Sequence, residues 1–328
     1  MGDQSRKEPS PTVPPQVMKE SLVQFSSAYW RAFVDSDFTS PPEACAEDLV
    51  VVLLELIDSP DQWLRDTVAY GGLSALIERG EISDAQIVMV LEVSMQRLEP
   101  ARMSSTSSYE RSFSALLIAS VLDYDNRGYW VLGEAGFHEV LNALCEWYLI
   151  EPDLRGYTED GWLHALAHGA DALLACSQSP YCDSANALSI LDSIVSRLIK
   201  GRGWRFTFDE QERMAYAALS VLVRDDLSLA RVTEILQVLN PFALAAPDDA
   251  DYWICRLNIV EWLQAVLVQS FLGARPVPLG WSGSVFVKRP RPEPEVLARF
   301  QEVLYPFLSD FCLPPTGYLS PLAYREFS

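Results

Sequence analysis

The sequence predicts an all-α protein, and three observations carry that prediction. Apolar residues recur at helical spacing along most of the chain. Capping residues and breakers punctuate those stretches where helices should begin and end. Regular apolar–polar alternation never lasts beyond a few residues, and no hairpin dipeptide such as Asn-Gly separates two such runs.

The elements follow in order. Ser40-Pro41-Pro42 opens a helix through about Ile57, with Ser as the cap and Pro in the first turn, where its missing N–H is not needed. Ser59-Pro60-Asp61 opens the next, running towards Arg79 and stopping at Gly80. Ser83-Asp84-Ala85-Gln86 is a capping box for a helix to about Leu98. Further helices are expected at about 109–122, 134–150, 160–177, 184–200, 209–224, 227–239, 249–271 and 293–312. In the 184–200 segment, Leu188, Leu191, Val195 and Leu198 form the apolar stripe. Gly273 to Pro294 holds five prolines and reads as a long loop with room for one short strand at Val285-Phe286-Val287. Its run Lys288-Arg289-Pro290-Arg291 is the densest basic patch, read as a solvated loop or a docking site for an acidic partner.

Helices joined by short connections suggest irregular stacked hairpins, either a HEAT/armadillo-like α-solenoid or a compact α/α superhelix. Length alone, 328 residues, suggests about two domains. The pattern instead favours one helical-repeat-like domain over 19–312, between a Pro-rich tail at 1–18 and a C-terminal tail at 313–328.

A composition of 49% hydrophobic and 21% charged residues excludes a disordered chain. A net charge of -20 argues against nucleic-acid partners, whose affinity comes from Lys and Arg neutralising phosphates. The longest apolar runs, Leu49 to Leu54 and Met214 to Leu219, fall far short of the ~20 residues a membrane helix requires. Met1 to Gln16 has no apolar core of a secretory signal, and the Cys176/Cys182 spacing fits no zinc knuckle. A soluble cytoplasmic protein with reduced thiols, without membrane or nucleic-acid partners, is expected.

The common catalytic motifs are missing. There is no P-loop, and Gly201-Arg202-Gly203 lacks the third glycine of a dinucleotide fingerprint. His138-Glu139-Val140-Leu141-Asn142 starts like a zinc-protease motif but ends in Asn. Gly280-Trp281-Ser282-Gly283 fails the spacing of a nucleophile elbow, and no His-Asp dipeptide occurs.

Chemistry concentrates between Glu151 and Asp171. On a helix over 160–177 capped by Asp160, His164, His168 and Asp171 lie within about 60° of one another. Such a trio can share one divalent metal ion, with Glu151, Asp153 or Glu159 folding back, and an open position can activate water for hydrolysis. The structural alternative makes Leu163, Leu166, Ala167, Ala170, Leu173 and Leu174 a core stripe. Arg155 then pairs with Asp171, and Gly169 allows close helix approach. Arg65, Arg111, Arg213 and Arg256 sit in otherwise apolar helices. Each must find a carboxylate or a helix C-terminus, snorkel to water, form a ladder between repeats, or line an anion-binding groove with Trp162 and the histidines.

The blocks Glu151-x-Asp153-Leu154-Arg155-Gly156 and Gly161-Trp162-x-His164-Ala165-x-Ala167-His168-Gly169-Ala170-Asp171 resemble the hallmark of the bacterial domain of unknown function 2785 family. Leu64-Arg65-Asp66, Glu110-Arg111-Ser112-Phe113-Ser114 and Arg256-Leu257-Asn258 match its other blocks in order, so the resemblance spans about residues 45 to 272. Thr67, where Gly is expected, and the Pro-rich segment after Phe271 depart from it. The resemblance implies an all-helical bacterial protein of unassigned activity and brings no catalytic residues to carry over. Two functions are therefore expected. One is a binding or scaffold module whose groove takes a protein, a peptide or a small anionic ligand; it would be lined by Asp153, Arg155, Trp162, His164, His168, Asp171, Arg65, Arg111, Arg213 and Arg256. The other is a metal-dependent hydrolase holding a divalent ion on His164, His168 and Asp171.

Overall fold

Capping chemistry and burial decide where each helix begins and which face it hides. The computed structural model describes residues 25–39, 46–129, 131–201, 203–244 and 248–272, with 302–307 and 311. Helix α1 (Ser27–Asp35) is capped by Ser26, and α2 spans Ala46–Leu56. A π-helical stretch, Trp63–Tyr70, leads into α3 (Gly71–Glu78). Helix α4 (Asp84–Leu98) carries the Ser83/Gln86 capping box read from the sequence, and Ser107 caps α5 (Ser108–Tyr124). Helix α6 (Gly133–Ile150) precedes a two-strand hairpin in which β1 (Tyr157–Thr158) pairs antiparallel with β2 (Gly161–Trp162). Then come α7 (Ala165–Ser177), α8 (Ser184–Lys200), α9 (Glu210–Leu222), α10 (Leu229–Gln237), α11 (Pro241–Leu244) and α12 (Ala250–Leu272).

The all-α class expected from the sequence is the class observed. Helices α3, α5, α7, α9 and α12 form one row in which each touches the next, and α2, α4, α6, α8 and α10 form a second row packed on it. The sequences explain the division. Every residue of α7 is buried, as are most of α5 and α9: small and apolar residues dominate them, and buried polar members such as Arg111, His168 and Asp171 are hydrogen-bonded. The second row is amphipathic: α6 buries Phe137, Val140, Leu141, Leu144, Trp147 and Tyr148 and turns its remaining side outward. At Gly169 the rows come close. A Cβ there would lie 2.5 Å from a Tyr148 ring carbon and 3.0 Å from Trp147, which is the close approach expected of that glycine.

The main correction concerns the helix expected over 160–177, which starts at Ala165. Gly161 and His164 both have positive φ, 98° and 54°, and the Leu163 N–H donates to the Gly156 carbonyl at 2.9 Å. The chain therefore doubles back as a hairpin before the helix begins. His164 precedes the helix in left-handed backbone and only His168 and Asp171 are helical, although the two imidazole centroids lie 5.9 Å apart. The start of the helix placed at Ser40, both tails, the 273–294 loop with its basic run and most of the 293–312 segment lie outside the described residues. No helix among the described residues is long and apolar enough to cross a membrane.

Candidate functional site

The segment from Glu151 to His164 is anchored from below by buried polar groups. Glu151 follows the last turn of α6 and is almost wholly buried. Its carboxylate accepts a two-pronged bond from Arg111, Nε at 2.7 Å and Nη2 at 2.8 Å. It also accepts the Trp147 indole N–H at 2.8 Å and the Asp153 N–H at 3.0 Å. Arg197 donates to the Glu151 and Leu149 carbonyls at 2.6 and 3.1 Å, satisfying acceptors that the end of α6 leaves open. Arg65 has no exposed surface. Its guanidinium donates to Asp66 at 2.8 Å, to the Ser59 carbonyl at 3.0 Å and to the Asp160 carbonyl at 2.8 Å, while lying 4.0 Å over the Tyr109 ring. Tyr109 in turn shares a hydroxyl–hydroxyl bond with Thr158 on β1, and the buried Ser112 hydroxyl donates to the Leu163 carbonyl.

The opposite side of the segment is open. Tyr157 and Trp162, on the two strands, are 46% and 39% exposed, and Phe208 from the loop before α9 joins them at 39%. The rings pack edge to face, with centroids 4.8 Å apart for Tyr157–Trp162 and 5.9 Å for Trp162–Phe208. His164 packs 4.5 Å from Trp162, and its Nε2–H donates to the Phe208 carbonyl at 2.6 Å, joining the hairpin to that loop. Gly156 allows this junction, because a Cβ there would strike Phe208 and Glu210. His164 and Asp209 occupy the N-cap positions of α7 and α9 with φ of 54° and 64°, and neither side chain caps its helix. Left-handed backbone costs a non-glycine residue on the order of 1–3 kcal/mol, and such strain collects at functional places.

Beneath the rings, both histidines are neutral at pH 7. Burial, reinforced by the Arg213 charge against the pull of the Phe208 carbonyl, lowers the His164 pKa to about 4. Burial, with His164 and Arg213 adding to it, holds His168 well below the ordinary range. The Ser112 hydroxyl already gives its one hydrogen to Leu163, so the bond between it and His168 Nδ1, 2.9 Å long, is donated by the imidazole. Arg213 forks onto Asp171: Nε donates to Oδ1 at 2.6 Å and Nη2 meets Oδ2. Burial lowers the Arg213 pKa to about 10, so it remains charged at pH 7.

Of the residues singled out in the sequence, Trp162, His164 and His168 come together, with Arg213 and Asp171 paired next to them. Asp171 pairs with Arg213, not with Arg155; the latter makes a two-pronged bond to Asp153, at 2.8 and 2.6 Å, two residues away. Arg65 and Arg111 are sealed in the interior and do not line a ligand surface. Arg256 on α12 donates to the Phe311 carbonyl at 2.9 Å and takes no part in the hairpin. His164, His168 and Asp171 do not form a metal cluster, since no group of three His, Cys, Asp or Glu among the described residues is placed to hold one ion. Tyr157, Phe208 and Asp209 were not among the expected site residues: a solvent-facing ring outside a helix carries no periodic signal, and Asp209 reads only as a helix start.

Residues 101–268, more than half of the 328, match the family described as protein of unknown function (DUF2785). The chain belongs to this family. The DUF2785 match takes in Arg111, the hairpin, both site histidines, Asp171, Arg213 and Arg256, whereas Arg65 and Asp66 lie before it. Comparison with curated proteins and with solved structures found no match.

Proposed function

We propose that the protein is a binding module whose recognition surface is the outer face of the 151–164 hairpin together with Phe208. The observation that supports this most is the contrast within one short segment. Its exposed rings, Tyr157 and Trp162, stand on backbone fixed from within by Arg65, Arg111, Ser112 and Arg197. A rigid surface loses less entropy when it binds, and clustered aromatic side chains are the usual anchors of interfaces. The strained backbone at His164 and Asp209 falls at the same place. The two-row helix order is compatible with a stacked-hairpin scaffold that presents a loop from its edge. The hydrolase alternative is less well supported: the Asp171 carboxylate is engaged by Arg213, and among the described residues no group of three His, Cys, Asp or Glu is placed to hold an ion.

The test is selection of a displayed random peptide library on the immobilised full chain. Selected peptides should lose at least about tenfold in affinity on the Tyr157→Ala/Trp162→Ala/Phe208→Ala variant, given the weight of aromatic anchors, while its circular dichroism stays native. Selection that enriches nothing, or peptides indifferent to the triple substitution, would overturn the proposal.

A further inference from the structure

The aromatic cluster is flanked by negative charge that is without ion-pair partners among the described residues. Glu159 and Asp160 lie at the turn between β1 and β2, Asp209 follows Phe208, and all three are exposed. None of them forms an ion pair among the described residues, while the neighbouring cations are engaged: Arg65 with Asp66, Arg155 with Asp153 and Arg213 with Asp171. Asp209 is the telling member. A carboxylate at an N-cap position ordinarily accepts helix N–H groups, yet Asp209 makes no such bond. Glu210 turns back instead and accepts the Phe208 N–H at 2.7 Å. His164, neutral at pH 7, adds no positive charge.

We infer that this surface binds a cationic peptide segment, one that lays arginine or lysine side chains on the Tyr157, Trp162 and Phe208 rings within reach of Glu159, Asp160 and Asp209. The inference rests on the binding-module reading above and names the partner class for the same surface. A guanidinium stacks on aromatic faces and forks onto carboxylates, so this mixture of groups suits it twice over. The protein already uses the arrangement inside, where Arg65 lies over Tyr109 and bonds Asp66. A net charge of -20 draws such a partner in from a distance. An acidic partner would meet three uncompensated carboxylates instead.

The experiment measures fluorescence anisotropy of labelled (Gly-Arg)4, (Gly-Ser)4 and (Gly-Glu)4 peptides with the full chain at about 0.15 M salt, where long-range attraction is screened. The peptide (Gly-Arg)4 should bind best. Its affinity should fall about tenfold or more for Trp162→Ala and for Glu159→Gln/Asp160→Asn/Asp209→Asn, the loss expected when a desolvated cation–aromatic or charged contact is removed. The control Glu134→Gln/Glu139→Gln/Glu146→Gln on α6 makes the same change in net charge and should stay within about twofold, as rim charges far from a contact do. Equal loss in the control would show a non-specific field and overturn the inference. Preferential binding of (Gly-Ser)4 or (Gly-Glu)4 that Trp162→Ala abolishes would overturn the cationic partner and leave the binding module standing. If no peptide binds, the cationic inference falls, and the library selection decides the wider reading separately.

Discussion

The two faces of the Glu151–His164 segment are built on opposite terms. On the inner face, Arg111 and Glu151 are paired with almost no exposed side chain, and Glu151 also binds an indole and a backbone N–H. On the outer face, rings stand in solvent, carboxylates lack ion-pair partners among the described residues, and two non-glycine residues hold left-handed backbone. The charged residues of the sequence blocks mostly hold the hairpin up, and what they hold up is the candidate surface.

The hardest test of that division is Glu151→Ala. It strands the Arg111 guanidinium in the interior, and breaking one partner of a buried pair costs about 3–5 kcal/mol. Urea unfolding should show a loss of that size, with Glu151→Gln in between because it keeps part of the acceptor set. A loss under about 1 kcal/mol, the scale of a surface pair, would remove the anchor from the inner face.

Next in size is the pH response of His164, which links the faces through its bond to Phe208. Its pKa is about 4 in the folded protein against an ordinary 6.5. A unit or more above pH 6.5 the imidazole is neutral whether folded or unfolded and contributes almost no pH dependence. Between pH 6.5 and 4 the unfolded chain takes up a proton that the folded one refuses, so stability falls with pH, by on the order of 3 kcal/mol at the low end. His164→Asn keeps an N–H donor and tolerates left-handed backbone. Its unfolding free energy should therefore drop less than the wild type's over that window. Parallel pH curves would mean that His164 is not the neutral, buried link described.

Gly169→Ala comes third. The added Cβ would press on Tyr148 and Trp147 where the two rows meet, and such overpacking typically costs about 1–3 kcal/mol. A neutral Ala would show that the rows can part there, so that the platform under the hairpin is softer than its packing implies.

Much of the fold was legible because it rests on local rules. Ser83 and Gln86 spell a capping box three residues apart, and of the α8 stripe Leu191, Val195 and Leu198 are buried while Leu188 is half-buried at its edge. The candidate site was legible in its members more than in its geometry. Asp160 looks like a helix cap, but Gly161 with φ of 98° and the bonds from Leu163 and His164 to the Gly156 carbonyl outweigh that local signal. Arg155 found a nearer carboxylate in Asp153, leaving Asp171 to an arginine 42 residues along the chain. Contacts at such separation leave no trace in the local pattern. Phe208 and Asp209 were missed for the same reason.

The smallest expected effect is the most telling for the outer face. Trp162 is 39% exposed, and of its ring partners Tyr157, His164 and Phe208, the first and last are themselves exposed. Trp162→Ala should therefore change the unfolding free energy by no more than about 1 kcal/mol, close to the range of substitutions away from the interior. A cost of about 3 kcal/mol or more, the size seen for buried aromatics, would make Trp162 a core residue and close the outer face as a free surface. A small cost, with the hairpin amides as protected from hydrogen exchange as in the wild type, would mean that the ring is carried by the structure and not required by it. A ring that the fold holds rigidly but does not need for its own stability is available for a partner.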